Sequence, residues 1–321
     1  QKHIGINFTS AELTMQLDDF ADRVLKPRIS QLAASIDTDV ANAYKGIANS
    51  VGTPGTTPST SLVLLQAQQK LNENAAIMAP RYSTVNPAAN AGLVVGMKGL
   101  FNPTDTISKQ FKNGLMGTGV LGFEEINMSQ SIKVLTTGTR TNGTVNTTVS
   151  AQGTNSLSLT GLGANATIKA GEVFTIGSVF AVNPQTRDST GSLQQFVVTA
   201  DATASAGGVA SVTVFPAVYT AAHALATVDS FPQATAAVTW LGAASTAYPQ
   251  NLVYHKDAIT FATADLLLPQ GVDMASRAVH NGISLRVVRQ YDINNDRMPC
   301  RIDVLYGYSV IRPQMACRIW G

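Results

Sequence analysis

Residues 17–51 (LDDFADRVLKPRISQLAASIDTDVANAYKGIANSV) constrain the fold more than any other stretch. Their apolar side chains fall at Phe20, Val24, Ile29, Leu32, Ile36, Val40, Ala43, Ile47 and Val51. Nearly all the steps are three or four, the period of an amphipathic helix. Asp18 and Asp19 sit at the start, where a helix dipole favours negative charge, and Gly52, Pro54 and Gly55 end the pattern. Unbroken, such a helix is roughly 50 Å long and carries one apolar stripe. It reads either as a long surface helix on a sheet or as the backbone of an elongated subunit lying beside its neighbours. On the second reading Phe20, Ile29 and Ile36 are expected to face inward onto the main sheet. Pro27 removes one helical hydrogen bond, so the helix either kinks there or begins there with Pro27 in its first turn. In the second case residues 10–17 form a separate short helix.

A chain with this element needs a core, and 321 residues at 45% hydrophobic content supply one. Only 13% of residues are charged, about half the usual share. A weakly charged surface is inexpensive to desolvate, because buried charges demand partners, and this favours a subunit that buries much of its surface in an assembly. The net charge of +2 gives no argument for nucleic acid by itself. No apolar run reaches bilayer-spanning length. There is neither a signal peptide nor an initiating Met, so the chain is expected to be processed or cut from a longer product. Cys300 and Cys317 make no disulfide framework and read as reduced, half-buried thiols.

After a Gly/Pro/Thr/Ser linker at 52–61, a second helix is predicted over 62–78, with Leu62, Leu65, Leu71 and Ala75 on one side. A short strand follows at 81–85. Asn86 and Pro87 open a third helix over 88–98, and a fourth is expected near 102–112. From Gly114 the pattern alternates and becomes rich in Gly, Thr and Asn. Short runs at 156–160, 172–176, 179–182, 194–199, 209–215 and 237–241, separated by turn residues, predict an all-β barrel or sandwich. Within it only the Ala-rich 221–226 reads as helical. Its charges are few: Arg140, Lys169, Glu172, Arg187, Asp188, Asp201 and Asp229. From Pro249 mixed strand and helix character returns, with strands at 285–292, 300–306 and 315–320. The expected class is α+β, with a discontinuous domain over 1–137 and 249–321 and an all-β domain inserted at 138–248.

Candidate chemistry is sparse. Gly117-x-Gly119-x-x-Gly122 matches a dinucleotide fingerprint in letters, but strand-like sequence follows it and no acid lies about twenty residues on. It reads as a glycine-rich loop. His3, His223, His255 and His280 lack metal-ligand spacing, and His255, Lys256 and Asp257 read as one polar turn. Asp292, Asn294 and Asp296 alternate as in a calcium loop without its Gly or distal Glu, and a β-turn is preferred. The sequons at 142–144 and 165–167 follow from composition. Lys26, Arg28, Lys98, Lys109 and Lys112 suffice only for a generic phosphate-facing surface. No catalytic, cofactor-binding or metal-binding residue is assigned, and no cofactor is expected.

The order of four stretches carries a resemblance. Residues 6–37 (INFTSAELTMQLDDFADRVLKPRISQLAASID), 86–105 with 117–132 (NPAANAGLVVGMKGLFNPTD, GTGVLGFEEINMSQSI), 168–186 (IKAGEVFTIGSVFAVNPQT), and 252–269 with 283–313 together resemble the major capsid proteins of short-tailed bacteriophages whose coat carries an inserted β-domain. The resemblance implies the HK-97-like fold of tailed-phage and herpesvirus capsids, with a spine helix, peripheral and axial domains and an inserted β-barrel. It implies a non-enzymatic subunit forming pentamers and hexamers of an icosahedral shell around double-stranded DNA. The implied partners are further copies, scaffolding and portal proteins, with no membrane. The implied place is the virion, assembled in the bacterial cytoplasm. The alternative is another virion structural protein, such as a tail, decoration or carbohydrate-binding β-protein, which would need a concave site lined by aromatic residues and acids.

Overall fold

The computed structural model describes residues 1–9, 26–96, 114, 117–280 and 282–321. In chain order the elements are β1 (Lys2–Thr9), α1 (Lys26–Val40), a 3-10 turn (Ala41–Gly46), β2 (Ser50–Val51), α2 (Ser61–Glu73), β3 (Arg81–Val85), α3 (Pro87–Gly96), β4 (Gly117–Val120), β5 (Phe123–Met128) and β6 (Val134–Thr136). Then follow β7 (Gly143–Val145), β8 (Thr154–Thr160), β9 (Thr167–Ile168), β10 (Val173–Val182), β11 (Ser189–Val198), β12 (Ala202–Thr203), β13 (Ala210–Val218) and β14 (Ala237–Trp240). The chain closes with β15 (Ala247–His255), β16 (Ile259–Ala264), β17 (Met274–His280), β18 (Ile283–Arg289), β19 (Arg297–Val310), a short 3-10 turn (Pro313–Met315) and β20 (Ala316–Trp320). The class is α+β and strand-rich. The chain divides into two compact units, Gln1–Val40 with Thr260–Ser309, and Ala41–Ile259 with Val310–Gly321.

In the first unit a sheet runs β1-β19-β18-β17, with β16 also on β19. Its strands alternate, so Ile4, Ile6 and Phe8 share a face with Cys300, Ile302 and Val304, and α1 covers that face with Leu32 and Ile36. Lys2 ties the helix down, donating to Ser35 Oγ at 2.7 Å and pairing with Asp39 at 2.7 Å. Tyr306 donates to Asp39 at 2.6 Å.

On the other face, Arg277, Arg286, Asp303 and His3 stand side by side across four strands. Asp303 is fully buried and accepts from Arg286 and Arg301, each at 2.6 Å. Burial opposes its ionisation, but the two guanidinium hydrogen bonds outweigh it and hold the carboxyl below the usual aspartate range. A depressed native pKa contributes stability above the unfolded value of about 3.9 and loses it as pH falls through the native value. Thermal melts of the wild type are therefore expected to fall steeply below about pH 4, and Asp303→Asn is expected to melt lower at neutral pH with a flatter acid limb. Parallel acid limbs in the two proteins would refute this role.

The helix expected over 17–51 is corrected by the structure. It ends at Val40, the last residue of the first unit, and residues 41–46 tighten into a 3-10 turn. Leu32 and Ile36 belong to the first unit's core, whereas Tyr44, Ile47 and Ala48 belong to the second's. Ser50 and Val51 pair instead with Arg318 and Ile319 in a parallel bridge. Ile29 is 39% exposed, contrary to the inward placement expected, because the buried positions recur at Leu32 and Ile36. Pro27 is the second residue of α1, and whether it kinks or starts the helix turns on residues 17–25, which lie outside the described residues together with Phe20, the short helix at 10–17 and the helix expected at 102–112.

In the second unit a sheet runs β2-β20-β15-β3-β5-β4, with β6 on β15. α2 and α3 supply Leu64, Ala67, Leu71, Ala89 and Leu93 to its core with Phe123, Ile126, Val253, Ile319 and Trp320. Of the side expected to be buried, Leu71 is in the core, whereas Leu62 and Leu65 are exposed. Positions 64, 67 and 71 keep helical spacing, and the tertiary contact selects them. α3 starts as its sequence requires, with Pro87 first and Asn86 Oδ1 accepting from Ala89 N at 2.8 Å.

Within the same unit six strands close a barrel in the order β10-β11-β13-β8-β7-β14. Leu157, Leu159, Phe174, Ile176, Phe196, Val212 and Trp240 fill it. The expected strands are present, with 172–176 and 179–182 merged into β10. Residues 221–226 form turns and not a helix, with His223 N donating to Thr220 O at 2.8 Å. Six residues are too few to offset the cost of helix nucleation.

Candidate functional site

The barrel is entered and left through a paired stem. Val134, Leu135 and Thr136 of β6 face Pro249, Tyr248 and Ala247 of β15. Thr137 closes the stem, donating its hydroxyl to Ala243 O at 2.7 Å while Thr246 N donates back to it at 3.0 Å. Just beyond, Glu172 is fully buried beside Arg140, which is 3% exposed, with the charged atoms 2.6 Å apart. Glu172 also accepts from Gly138 N at 2.5 Å and Lys169 N at 2.9 Å. Gly138 admits no side chain, since a Cβ there would meet Thr167 O at 1.9 Å. The guanidinium of Arg140 lies 4.7 Å from the centre of the Trp240 ring. A buried acid and base are therefore satisfied by each other and by the main chain, as buried charges must be.

A second seam joins barrel and sheet directly. Val173 and Val197 of the barrel pack into the sheet's core. Gln195 imitates a strand neighbour: its side chain donates to Ser50 O and accepts from Ser50 N, both at 2.8 Å. Arg318, fully buried in β20, donates to Gly171 O at 2.7 Å and Gln250 Oε1 at 3.2 Å. It lies over the rings of Tyr44 and Trp320 at 5.7 and 5.6 Å. Gly171 has φ +97°, and a Cβ there would come within 2.7 Å of Tyr44, so only glycine presents that carbonyl. Burial pushes the Arg318 guanidinium down to about 10, which leaves it charged at neutral pH.

Arg318→Met is expected to leave the barrel folded on its own core and loosen this seam. A hydrogen bond from a charged group contributes about 1.5–3 kcal/mol, so hydrogen exchange at the Gly171 and Val198 amides should rise roughly 10- to 100-fold. Those amides bond across the barrel's base. Unchanged exchange there would refute the role.

Sequence reasoning saw Arg140 and Glu172 only as rare charges and missed Arg318. The available signal was a charge inside an apolar strand, as in Met-Ala-Cys-Arg-Ile-Trp, or within a β region almost free of charge. The other candidates are dispersed. Gly117–Val120 and Phe123–Met128 form a β-hairpin whose turn residues Leu121 and Gly122 have φ of 52° and 76°, so the glycine motif turns a strand and cradles no phosphate. His255 is buried, and Asp257 N donates to its Nδ1 at 3.2 Å, which makes the polar turn expected. Asp292 to Asp296 turn β18 into β19, with Asp292 N donating to Arg297 O at 2.8 Å. Cys300 and Cys317 are free and buried, not half-buried, and burial pushes the Cys317 thiol up to about 12. Lys26 and Arg28 are exposed on α1, while Lys98, Lys109 and Lys112 lie outside the described residues.

A groove of about 820 Å³ opens in the second unit between Asn49, Asn74 and Met315 on one side and Val182, Gln194, Phe215 and Thr227 on the other. Among the described residues no charged side chain lines it. Both tryptophans are core residues, at 5% and 0% exposure, so neither lines a concave sugar-type site. What these side chains do is join a β-barrel to a sheet through buried hydrogen bonds and a shared core.

Comparison with known proteins agrees. The family model described as P22 coat protein, gene protein 5, matches residues 2–321. No curated protein matches the chain. Among solved structures, one from Mycobacterium phage Che8 is similar at 11% identity and TM-score 0.46, covering 99% of this chain and 70% of that one. The capsid structure of Cyanophage P-SCSP1u is similar at 12% identity and TM-score 0.45, covering 99% and 71%. The CUS-3 coat protein I-domain is similar at 24% identity and TM-score 0.23 over 32% of this chain and 96% of that one. With the family matched over all but the first residue, across sheet, stem and barrel alike, the chain belongs to the P22 coat protein family and is a structural subunit of a phage capsid.

Proposed function

We propose that this coat protein adopts the HK-97-like capsid fold, with α1 in the position of the spine helix, and assembles as pentamers and hexamers of a closed icosahedral shell around double-stranded DNA. The observation that carries this is the coat-family match over residues 2–321. Residues 138–248 are the inserted β-domain, and 1–137 with 249–321 the discontinuous domain that carries it. The paired stem at Val134–Thr136 supports this division, because an insertion whose ends lie side by side leaves the host sheet intact.

The subunit works by contacts and not by catalysis. Scaffolding and portal proteins are its assembly partners, DNA touches the shell non-specifically, and assembly takes place in the bacterial cytoplasm. Electron microscopy of the expressed coat protein tests the reading: closed shells are expected, and monodisperse small particles under assembly conditions would overturn it.

A further inference from the structure

In the first unit, residues 265–273 connect β16 to β17 and are held from behind. Arg286 Nη1 donates to Leu267 O at 2.6 Å, and Arg277 Nη1 to Leu266 O at 3.5 Å. Asp265 pairs with Arg277 at 3.4 Å, and Asp273 with Arg289 at 2.9 Å, so both ends of the loop are clamped. Arg286 is in turn held by the buried Asp303. The main chain is thus fixed to the sheet while the side chains face out. Leu267 is 86% exposed, more than any other large hydrophobic residue among those described, and Leu268 is 44% exposed.

Such an arrangement suits a contact. A pinned loop has already lost the conformational freedom that binding would otherwise remove, and apolar side chains gain only when water is excluded from them. The rim chemistry selects the partner. Arg277 and Arg289 each pair with a carboxylate of the same unit, and Arg286 shares Asp303 with Arg301, so these guanidiniums are already engaged and the knob presents an apolar surface to protein. A capsid subunit meets many copies of itself, and closed assemblies are made by such repeated contacts.

We propose that Leu267 and Leu268 form a preset apolar knob that a second copy of this chain buries in the assembled shell. This rests on the shell-forming reading above. Leu267→Cys provides a clean probe, because the two native cysteines are buried at 6% and 0% exposure. Iodoacetamide labelling is compared between free subunits and shells assembled from coat protein alone, broken open by freeze–thaw so that both faces are reached. The introduced thiol is expected to react at least tenfold more slowly in shells. Equal rates in shells and subunits would overturn the knob while leaving the shell reading intact, and failure of the wild type to form shells would overturn that reading instead. Protection that arises only after other virion proteins are added would assign the knob to a different partner and also overturn the proposal. Leu267→Asp is expected to keep the wild-type melting temperature, since the loop is pinned through its main chain, and to lower shell yield at least tenfold. Normal shells from the folded Leu267→Asp protein would refute the proposal independently.

Discussion

Glu172→Ala is expected to cost about 3–5 kcal/mol of folding stability, read as a lower urea midpoint at unchanged slope. The charge it leaves behind sets the size of the effect. Arg140 is 3% exposed and would keep only the carbonyls of Gly242 and Leu241, at 3.2 and 3.4 Å, and the face of Trp240. The amides of Gly138 and Lys169 would lose their acceptor as well, and an unsatisfied buried donor costs about 1–3 kcal/mol. Removing both charges together, as Arg140→Met with Glu172→Leu, should cost clearly less than Glu172→Ala, because no lone ion remains. Additive losses in the double variant, or a single variant within about 1 kcal/mol of wild type, would contradict the pairing.

Trp320→Ala is expected to cost about 3–5 kcal/mol and to act on the sheet's core. The side chain is fully buried, edge-on to Tyr248 at 5.5 Å, and stacked beside Arg318. Its truncation opens a cavity that well-packed neighbours cannot collapse to fill. Trp320→Phe should cost clearly less than Trp320→Ala, since it keeps an aromatic ring there, leaves a smaller cavity and removes an indole N–H that makes no hydrogen bond. If Trp320→Phe were as damaging as Trp320→Ala, the loss would lie in the indole nitrogen and not in packing. Far-ultraviolet and thermal melts of the three proteins decide between these outcomes.

These two positions show how far sequence reasoning reaches. The strands of the barrel were readable because their signal is local: alternation at 194–199 and 209–215, with turn glycines between. Asn86 and Pro87 likewise announced a helix start within two residues. By contrast, Arg140 and Glu172 meet across 32 residues, and Arg318 reaches Gly171 across 147. Nothing local distinguishes an arginine that snorkels to solvent from one sealed between two cores. The same gap explains the errors at Ile29, Leu62 and Leu65, where the period was right and the buried side was not. A hydrophobic stripe states that one face is covered, but the neighbouring sheet decides which.

The residues at 17–51 divide along this line. Their 3- and 4-residue spacing was enough to specify the helix over Lys26–Val40, because helix formation depends on neighbours one turn apart. Where that helix stops was decided by tertiary structure. Leu32 and Ile36 serve one core and Tyr44 and Ile47 another, so past Val40 the chain is placed by long-range contacts that spacing between near neighbours does not encode.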